Sequence, residues 1–500
     1  MSMPAEHMTS IPTLAELLQG YADAPSVQVT GIASDSRRIG KGYLFLAVQG
    51  LQSHGLDFIE QARAAGAAAI AWDSSTGSEP AATGLPVIAV SHLADKIGEI
   101  ANRFFGWPSR RLGVIGTTGT NGKTTVAWMI AQAREYLGER CAYLGTLGHG
   151  LGEVGDAGGL TTPATVDLHR CLADFVAGGA QSASIEVSSH ALSQGRVDGV
   201  EFDTAVFTNL TRDHLDYHPN MDDYFASKAM LFIDYAPRHC IVNVDTDYGR
   251  QLAALCGPEV VTIATGREGT VTGRPSLYAR SITATERGSD VEIDGDWGKG
   301  RFSLNLPGDF NVANAIAVLA VLLVKGEALD QACDVMARLQ APPGRMQRVP
   351  GEGPAVYVDY AHTPNALDNA LHALRAHCRG KLWCVFGCGG DRDRGKRPEM
   401  GRVAERLADR LVLTNDNPRS EEPARIVDDI LAGLARAERA TVVEDRAAAI
   451  AWAISRAAPE DTVLIAGKGH ESYQEAHGER IAISDYAIAG GALAAREGAR

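Results

Sequence analysis

The chain has 500 residues, of which 45% are apolar and 22% charged, and its net charge at neutral pH is −14. This length exceeds what one hydrophobic core can hold and predicts about three domains. The negative charge argues against a nucleic-acid partner, because the phosphate backbone would be repelled. No secretory signal or membrane-spanning run is recognisable, so we expect no membrane partner. The eight cysteines are scattered, which predicts reduced thiols in the cytoplasm.

Residues 1–105 predict a small α/β domain. Short β-like runs at 27–32, 42–48, 67–72 and 87–90 alternate with helical patterns. The polar cluster at 34–37, which contains Ser36, is by itself more typical of a turn than of a site.

Residues 106–340 predict a second domain with a mostly parallel sheet. The strand-like runs lie at 112–116, 140–146, 182–188, 204–210, 239–245 and 260–265. Ligands of such sheets bind beyond the carboxyl ends of the strands. Residues 266–306 change to short alternating strands with glycine turns, which predicts an antiparallel insertion.

A glycine-rich turn lies between the first of these strands and a helical pattern, in the sequence LGVIGTTGTNGKTT at 112–125. In such a turn the N–H groups point at an anion, Lys123 adds a cation for the terminal phosphates, and Thr124 adds a hydroxyl for magnesium. The strict phosphate-loop pattern would have glycine at Thr117. The alternative interpretation of this segment is an ordinary glycine-containing turn followed by a lysine on the surface, which binds no phosphate. We predict nucleotide binding, and ATP is preferred because no guanine-reading N-K-x-D motif follows. The predicted nucleotide residues are Gly119, Thr120, Asn121, Gly122, Lys123, Thr124 and Thr125.

Polar residues follow the ends of later strands in this domain. Glu186 is the best candidate for a magnesium ligand opposite Thr124, and His214 lies in the cluster after the next strand. Each of these residues could alternatively be a helix cap or a surface residue. Asn311 and Asn314 open a later helix, where they could cap it or read a base edge.

Residues 341–500 predict a third α/β domain after a linker at 341–348. Strand-like runs at 355–360, 382–387, 410–414, 441–444 and 461–466 are mostly followed by polar clusters. Clusters on one sheet edge, with two arginines and a glutamate, suit a zwitterionic ligand that carries carboxylate and amine groups. The alternative is that these charges only keep loops soluble. The candidate residues are Arg392, Asp416, Asn417, Pro418, Arg419, Gly467 and Glu471.

The chain resembles the Mur ligases, the ATP-dependent amino-acid-adding enzymes of peptidoglycan precursor synthesis. The motifs occur in family order from about residue 34 to 474, beginning with SDSR and continuing with TGTNGKTT, EVSSHAL, TNLTRDHLDYH, YFASK, PGDFNVAN, PGRMQ, DYAHTP, GCGGDRDRGKRP and AGKGHE. The sequence DNPR at 416–419 matches the motif that accompanies meso-2,6-diaminopimelate specificity, as opposed to lysine.

The resemblance implies an activity for the whole chain. It implies addition of meso-2,6-diaminopimelate to UDP-N-acetylmuramoyl-L-alanyl-D-glutamate, with ATP as co-substrate and Mg²⁺ as cofactor. It further implies a cytoplasmic enzyme of cell-wall biogenesis, with roles in cell shape and division, which we take to be a monomer. It implies three domains, an N-terminal domain that binds the UDP moiety (1–105), a central ATPase (106–340) and a C-terminal Rossmann-like domain that binds the amino acid (341–500).

The resemblance also implies roles for individual residues. Binding of the UDP-linked substrate is implied for Ser36, Leu51, Gln52, Ser53, Thr161, Thr162, Ser188, Gln194 and Arg196. Leu160 departs from the family, where Asn is common, and this leaves its contact in doubt. Asn311 and Asn314 lie where adenine is held, and Arg345 lies where phosphates are held.

A carbamylated lysine is a further implication of the resemblance. Lys228 ends the pattern Y-x-x-x-K, and in the family this lysine reacts with CO₂ to give an anion. Spacing alone makes Lys228 an ordinary lysine on a helix surface. The implied metal ligands are Thr124, Glu186, His214 and carbamylated Lys228, and the implied catalytic residues are Lys123, Glu186, His214 and Lys228.

Two other functions remain open from the sequence. Folylpolyglutamate synthetase shares the ATPase core and the amide-forming chemistry, but DNPR and the N-terminal SDSR domain argue against it. A nucleotide-dependent switch or scaffold would turn over ATP without any requirement for an amino acid.

Overall fold

The computed structural model describes residues 11–498, apart from 51–52, 78–79, 81–83, 156–158 and 270. The chain divides into two compact units. The first runs to residue 242 and includes 246–261, and the second comprises 243–245 and the chain from 262 onwards. The division into three domains at 105 and 340 stays a prediction.

The first unit begins with a four-stranded parallel sheet in the order β1-β2-β3-β4. Its elements are α1 (Leu14–Leu17), β1 (Gly31–Ala33), β2 (Tyr43–Ala47), α2 (Ile59–Ala64), β3 (Ala69–Asp73), β4 (Val87–Val90) and α3 (Ile97–Phe105). The first strand is shorter than the predicted run at 27–32. The reason is that Val27 and Val29 bond instead to the segment at α1, where Val27 O accepts from Leu14 N and Val29 N donates to Pro12 O.

A second sheet of the first unit carries the glycine-rich turn. Its strands pair in the order β10-β9-β5-β8-β6-β7, all in parallel except for β7. The elements are β5 (Gly113–Thr118), α4 (Lys123–Tyr136), β6 (Cys141–Gly145), β7 (Gly148–Gly150), α5 (Thr165–Ala177), β8 (Ser182–Glu186), α6 (Ser189–Ser193), β9 (Thr204–Phe207), α7 (Met221–Ile233), β10 (His239–Asn243) and α8 (Asp247–Leu255).

The antiparallel insertion predicted at 266–306 is present. Strands β12, β13 and β14 pair in antiparallel fashion, and β11 runs parallel to β12. The elements are β11 (Val261–Ala264), β12 (Ser276–Ala284), β13 (Ser289–Gly295), β14 (Gly300–Leu304), α9 (Asp309–Val324) and α10 (Leu329–Met336).

The remainder of the second unit forms a six-stranded sheet in the order β15-β16-β20-β17-β18-β19, in which only β15 is antiparallel, and a separate hairpin of β21 and β22. The elements are β15 (Gln347–Val349), β16 (Ala355–Asp359), α11 (Pro364–Arg375), β17 (Leu382–Phe386), α12 (Lys396–Leu407), β18 (Arg410–Leu413), α13 (Pro423–Leu431), β19 (Ala440–Val442), α14 (Arg446–Arg456), β20 (Thr462–Ala466), β21 (Tyr473–Ala476), β22 (Glu479–Ala482) and α15 (Asp485–Gly498).

Both faces of this sheet are buried, which explains the continuous apolar runs of its strands. Along β17, Cys384 belongs to one hydrophobic cluster and Val385 to another, because successive side chains point to opposite faces. The predicted α/β class, with mostly parallel sheets, is therefore confirmed. Among the described residues, no helix combines the length and apolar character that a membrane crossing requires.

Candidate active site

The glycine-rich turn connects the end of β5 to the start of α4. Gly119 and Gly122 adopt φ of 148° and 88°, and a Cβ on Gly119 would lie 1.9 Å from Thr208 Oγ1, so this position requires glycine. The start of α4 has no side-chain cap within the described part of the chain. Its first N–H groups are therefore available to an anion, as the predicted phosphate site needs.

The turn is braced from the segment that follows β9. Thr120 N donates to Asn209 O at 2.9 Å, and Asn121 N donates to Asn209 Oδ1 at 3.0 Å. Lys123 folds back over the turn, where its Nζ donates to the carbonyls of Gly119 and Thr120 at 2.9 and 3.0 Å. The turn thus has a fixed shape with a cation at its centre.

Glu186, at the end of β8, lies directly beside Thr124. Thr124 Oγ1 donates to Glu186 Oε2 at 2.9 Å, and this carboxylate is fully buried. It also accepts from Tyr143 OH at 2.6 Å, from Thr146 N at 2.9 Å and from Thr146 Oγ1 at 3.3 Å. The structure therefore brings the two predicted magnesium ligands together and holds the carboxylate from several sides.

This pair fits magnesium. A hydroxyl and a carboxylate are hard oxygen donors, and Mg²⁺ typically uses one or two protein ligands and completes its shell with phosphates and water. Over the described ranges, no group of three or more His, Cys, Asp or Glu side chains is arranged to hold a metal ion. A magnesium ion at Thr124 and Glu186 would accordingly depend on the nucleotide for further ligands.

Lys228 is buried, which corrects the expectation from spacing that it lies on a helix surface. It is 1% exposed, and its Nζ donates to Gly119 O at 2.9 Å and lies 4.6 Å from the centre of the Tyr224 ring. Burial, reinforced by the positive charge of Lys123, lowers the pKa of Lys228 well below its ordinary value of 10.5. The amine therefore lies against the phosphate turn and favours its neutral form.

His214 lies near Lys228 but is less enclosed. Its ring centre is 6.0 Å from that of Tyr224 and 5.0 Å from that of His190, and its Nε2 lies 3.6 Å from Asp213 Oδ2. Burial lowers the pKa of His214 below its usual value. A protonated lysine has no lone pair for a cation, whereas conversion of Lys228 to an anion would give a hard oxygen donor near His214 that suits Mg²⁺.

Four of the residues predicted for the UDP-linked substrate form one network. Thr162 Oγ1 donates to Glu186 O at 2.7 Å and accepts from Ser188 N at 3.1 Å. Arg196 donates to Thr162 O at 3.1 Å and to Gln194 Oε1 at 2.9 Å. The network adjoins the magnesium ligands, because it begins at the main chain of Glu186.

The neighbouring residues of this prediction are more exposed. Thr161 Oγ1 lies 3.1 Å from Thr146 Oγ1, which itself contacts Glu186, whereas Leu160 is 45% exposed. Burial lowers the pKa of Arg196, whose guanidinium is half-buried beside this surface.

The residues predicted for the UDP moiety are only partly described. Ser36 is buried at the start of a short 3-10 turn, where its hydroxyl donates to Gln61 Oε1 at 3.0 Å, and Ser53 is exposed. Leu51 and Gln52 lie outside the described residues. The turn expected from residues 34–37 is thus present, and its role in binding stays a prediction.

Asn311 and Asn314 lie in the first two turns of α9, in the second unit. Asn311 Nδ2 donates to Pro307 O at 2.8 Å, and Asn314 Nδ2 donates to Asn311 Oδ1 at 3.3 Å. The two amides therefore orient each other. Arg345 lies 4.3 Å above the Tyr360 ring. Its buried Nε has no hydrogen-bond partner among the described residues.

The carboxyl ends of β18 and β20 carry a compact polar cluster. Asn417 Nδ2 donates to Glu471 Oε2 at 2.8 Å, and Lys468 Nζ donates to Asn417 Oδ1 and Glu471 Oε2, both at 2.9 Å. Lys468 is fully buried. Two residues predicted for the diamino acid are thus brought together, and a lysine that was not singled out joins them.

The remaining residues of this prediction surround the cluster. Arg419 adopts φ of 52° and donates to Gly390 O at 2.8 Å, while Arg392 is exposed. Asp416 Oδ1 accepts from Asn417 N at 2.7 Å, and a Cβ on Gly467 would lie 2.5 Å from Asp416 Oδ2. Pro418 lies between Asn417 and Arg419, and its carbonyl leaves no room for a Cβ on Gly390.

The hairpin of β21 and β22 was missed by sequence reasoning, although it closes over this cluster. Arg419 N donates to Glu475 O at 2.9 Å, and Glu475 N donates to Asn417 Oδ1, also at 2.9 Å. The sequence signal is the glycine of the turn, Gly478, between two short runs at 473–476 and 479–482.

Two ion pairs near the cluster were also missed. Arg446 and Asp485 form a fully buried ion pair at 2.7 Å, and Arg446 also donates to Ala466 O. Glu421 accepts from the fully buried Arg397 at 2.8 Å, which lowers the pKa of Glu421 to about 2. These pairs fix the strand ends that carry the candidate site.

Three family models match successive parts of the chain. They are the Mur ligase family, catalytic domain, over residues 28–105, the Mur ligase middle domain over 117–322, and the Mur ligase, glutamate ligase domain, over 344–469. The chain belongs to the Mur ligase family. The resemblance seen in the motifs is thereby confirmed.

Individual Mur ligases match the chain over nearly its full length. The UDP-N-acetylmuramoyl-L-alanyl-D-glutamate--2,6-diaminopimelate ligase of Pseudomonas putida is 48% identical, covering 93% of this chain and 94% of its own. The enzyme of that name from Xanthomonas campestris pv. campestris is 46% identical, and the match covers 98% of this chain and 99% of that enzyme. A solved structure of an enzyme of that name has 32% identity and a TM-score of 0.72, covering 98% of this chain and 100% of its own.

Membership of the Mur ligase family makes the chain an enzyme, an ATP-dependent ligase of peptidoglycan synthesis. The role of the glycine-rich turn in that reaction stays a prediction. The alternative of a nucleotide-dependent switch or scaffold is set aside.

Proposed function

We propose that this Mur ligase joins meso-2,6-diaminopimelate to UDP-N-acetylmuramoyl-L-alanyl-D-glutamate and converts ATP to ADP and phosphate. The observation that carries the proposal is the cluster of Asn417, Lys468 and Glu471 beside Arg419, at the ends of two parallel strands. It offers carboxylate, amide and guanidinium groups to a ligand with both amines and carboxylates. The names of the relatives at 46% and 48% identity support the same substrates.

The reaction overcomes the low reactivity of a carboxylate towards an amine. The γ-carboxylate oxygen of the D-glutamyl residue attacks the γ-phosphorus of ATP, the bond to the β-phosphate oxygen breaks, and an acyl phosphate and ADP form. The neutral amine of diaminopimelate then attacks the acyl carbon. The tetrahedral intermediate expels phosphate, the nitrogen loses a proton, and an amide remains.

The first unit supplies the groups that hold the phosphates. The open start of α4 and Lys123 bind the negative oxygens, and Thr124 and Glu186 would hold Mg²⁺. When bound, magnesium neutralises charge on the transferred phosphoryl group. The network of Thr162 and Arg196 starts at Glu186 and would position the dipeptide end of the substrate beside the γ-phosphate.

The burial of Lys228 supports the proposal that it is carbamylated. Only a neutral amine attacks CO₂, and the lowered pKa of Lys228 favours that form. The amine nitrogen forms a bond to carbon, one C=O bond opens to an oxygen anion, and the nitrogen loses a proton. The resulting anion, together with His214, would hold a second Mg²⁺.

The second unit would hold adenine at Asn311 and Asn314, phosphates at Arg345, and the diamino acid at the Asn417 cluster, with Arg392 and Arg419 on its distal carboxylate. We also propose the three domains 1–105, 106–340 and 341–500, which the extents of the three family-model matches support. A cytoplasmic location agrees with eight free cysteines.

Phosphate release provides the direct test. With ATP and UDP-N-acetylmuramoyl-L-alanyl-D-glutamate, we expect release only when meso-2,6-diaminopimelate is added, and little with lysine, which lacks the distal carboxylate. Replacing the UDP substrate by a folate with glutamate should give none. Turnover with lysine comparable to that with diaminopimelate, or no turnover with either, would contradict the proposal.

A pair of arginine variants tests where the amino acid binds. Arg419→Ala should raise KM for diaminopimelate about tenfold or more, because a charge-assisted contact is lost, and should leave KM for ATP unchanged. Arg425→Ala, at an exposed position of α13, is the matched control and should change neither. Equal effects of the two variants would place the diamino acid elsewhere.

A further inference from the structure

A cavity of about 550 Å³ opens at the amino ends of strands in the six-stranded sheet of the second unit. Trp383 lies in β17, Arg410 begins β18, and Asp461 immediately precedes β20. Thr441 of β19 and Arg456 at the end of α14 complete its wall. The volume is in the range of pockets that hold small organic ligands.

This cavity is separate from the diamino-acid cluster. The cluster residues Asn417 and Glu471 follow the carboxyl ends of β18 and β20, whereas the cavity residues lie where the same strands begin. Because these strands run parallel, one set of residues lies at the amino ends of the strands and the other at their carboxyl ends, on opposite sides of the sheet along the strand direction. None of the groups assigned to the ligase reaction lines the cavity.

The lining is strongly basic in a chain whose net charge is −14. Its charged side chains are five basic and two acidic, namely Arg379, Lys381, Arg410, Arg439, Arg456, Glu460 and Asp461. The Asp461 carboxylate already accepts hydrogen bonds within the protein, from Lys381 N at 2.7 Å and from Trp383 Nε1 and Ala458 N, both at 2.9 Å. The lining therefore carries a net positive charge.

Several of these cations lie close together and are exposed to solvent. Leu411 of β18 pairs with Ala440 of β19, so the preceding residues, Arg410 and Arg439, are adjacent across the two strands. Like charges at such positions repel each other. Arg379 pairs with Glu286, but within the described part of the chain Arg410, Arg439 and Arg456 form no ion pair.

An aromatic surface lies beside the cations. The rings of Trp383 and Trp452 are 6.0 Å apart at 67°, and Trp452 is partly exposed. The Arg456 guanidinium lies 5.1 Å from the centre of the Trp452 ring. An indole face next to guanidinium groups is the combination that accepts a nucleobase together with its phosphates.

We propose that this cavity is a second nucleotide site, which binds a nucleoside di- or triphosphate with its phosphates on Arg410 and Arg439 and its base against Trp452. The proposal does not depend on the identity of the amino acid that the enzyme adds. Free polyphosphate could bind the same arginines, so binding of inorganic tripolyphosphate is compared with binding of ADP.

Counting bound nucleotide tests the site. Equilibrium dialysis of the full chain with ADP should show one more equivalent bound to the wild type than to Arg410→Glu/Arg439→Glu. We expect the double variant to weaken this additional binding about tenfold or more. The matched control is Arg402→Glu/Arg425→Glu, which makes the same charge change at exposed arginines outside the cavity and should retain the additional equivalent.

Ligase turnover at saturating substrates shows whether the double variant is folded, and we expect it to match the wild type. Equal stoichiometry in the wild type and a folded double variant would overturn the proposal, as would equal losses in the double variant and its control. If the double variant does not turn over, the single variant Arg439→Gln takes its place, and unchanged ADP binding in it would likewise overturn the site.

The base contact has its own test. Trp452→Leu should weaken ADP at this site about tenfold, because a stacked base is lost, and leave inorganic tripolyphosphate unchanged. Equal binding of ADP and tripolyphosphate to the wild type, or equal weakening of both in Trp452→Leu, would refute a nucleotide in favour of a simple polyphosphate.

Discussion

Replacing Glu186 by glutamine separates the structural role of this carboxylate from its proposed role with magnesium. The side chain keeps its shape but loses its charge and one acceptor oxygen. In the wild type, Oε2 accepts from the hydroxyls of Thr124 and Thr146 at 2.9 and 3.3 Å, and Oε1 accepts from Tyr143 OH and Thr146 N at 2.6 and 2.9 Å.

The geometry sets the expected magnitudes. Both threonine hydroxyls can rotate to accept from the new amide, and the two bonds to Oε1 remain but lose a charged acceptor. At about 1 kcal/mol for each bond, we expect unfolding to become easier by roughly 2 kcal/mol. The loss of the anion beside Thr124 should remove several kcal/mol of charge stabilisation from phosphoryl transfer. A loss of ~3 kcal/mol lowers kcat/KM about a hundredfold.

The assay combines urea unfolding with steady-state phosphate release at several magnesium concentrations. Tyr143→Phe is the control, because it removes a hydrogen bond to the same carboxylate without touching the proposed metal ligands. It should cost about 1–3 kcal/mol of stability and keep kcat/KM within about threefold of the wild type. Turnover by Glu186→Gln within the same threefold range would refute the magnesium role, and equal activity losses in the two variants would reduce Glu186 to a structural residue.

Two further outcomes are expected. Lys228→Ala should abolish turnover, and short carboxylic acids should restore part of it by supplying the missing anion next to Gly119; turnover near that of the wild type would remove the carbamate from the mechanism. The pKa of Glu421 is about 2, below its ordinary 4.5, so its ion pair with Arg397 stabilises the fold fully above about pH 4.5 and is lost as the pH falls through 2. The difference in unfolding free energy between the wild type and Glu421→Gln should therefore shrink from pH 5 to pH 2, and a constant difference would contradict this account.

Much of the fold follows from local patterns in the sequence. The runs predicted at 204–210, 382–387 and 410–414 correspond to β9, β17 and β18, because strands buried on both faces read as continuous apolar segments. Polar residues just after them cluster as expected for parallel strands. The pairing of Thr124 with Glu186 is the clearest case, since Thr124 was inferred from the glycine-rich turn and Glu186 from the end of a strand, and the two are in direct contact.

What the sequence could not provide are contacts between distant segments. Lys228 is buried because the carbonyl of Gly119 and the ring of Tyr224 enclose it, and no helical periodicity reveals that. Lys468 is buried because the hairpin at 473–482 folds over it, so its own run of glycines and charges gives no sign of its depth. Burial of a charged residue depends on which segments pack over it.

Gly344, in the linker predicted at 341–348, packs against the segment that leads to Glu471. A Cβ at this position would lie 2.0 Å from His470 N, and a Cβ on Gly469 would lie 2.7 Å from Gly344 O, so two main chains touch with no side chain between them. Arg345 directly follows Gly344, and Glu471 directly follows His470, so the proposed phosphate contact and the proposed diamino-acid contact extend from two segments that approach each other closely. We therefore expect occupancy of the phosphate contact to change the affinity for the diamino acid.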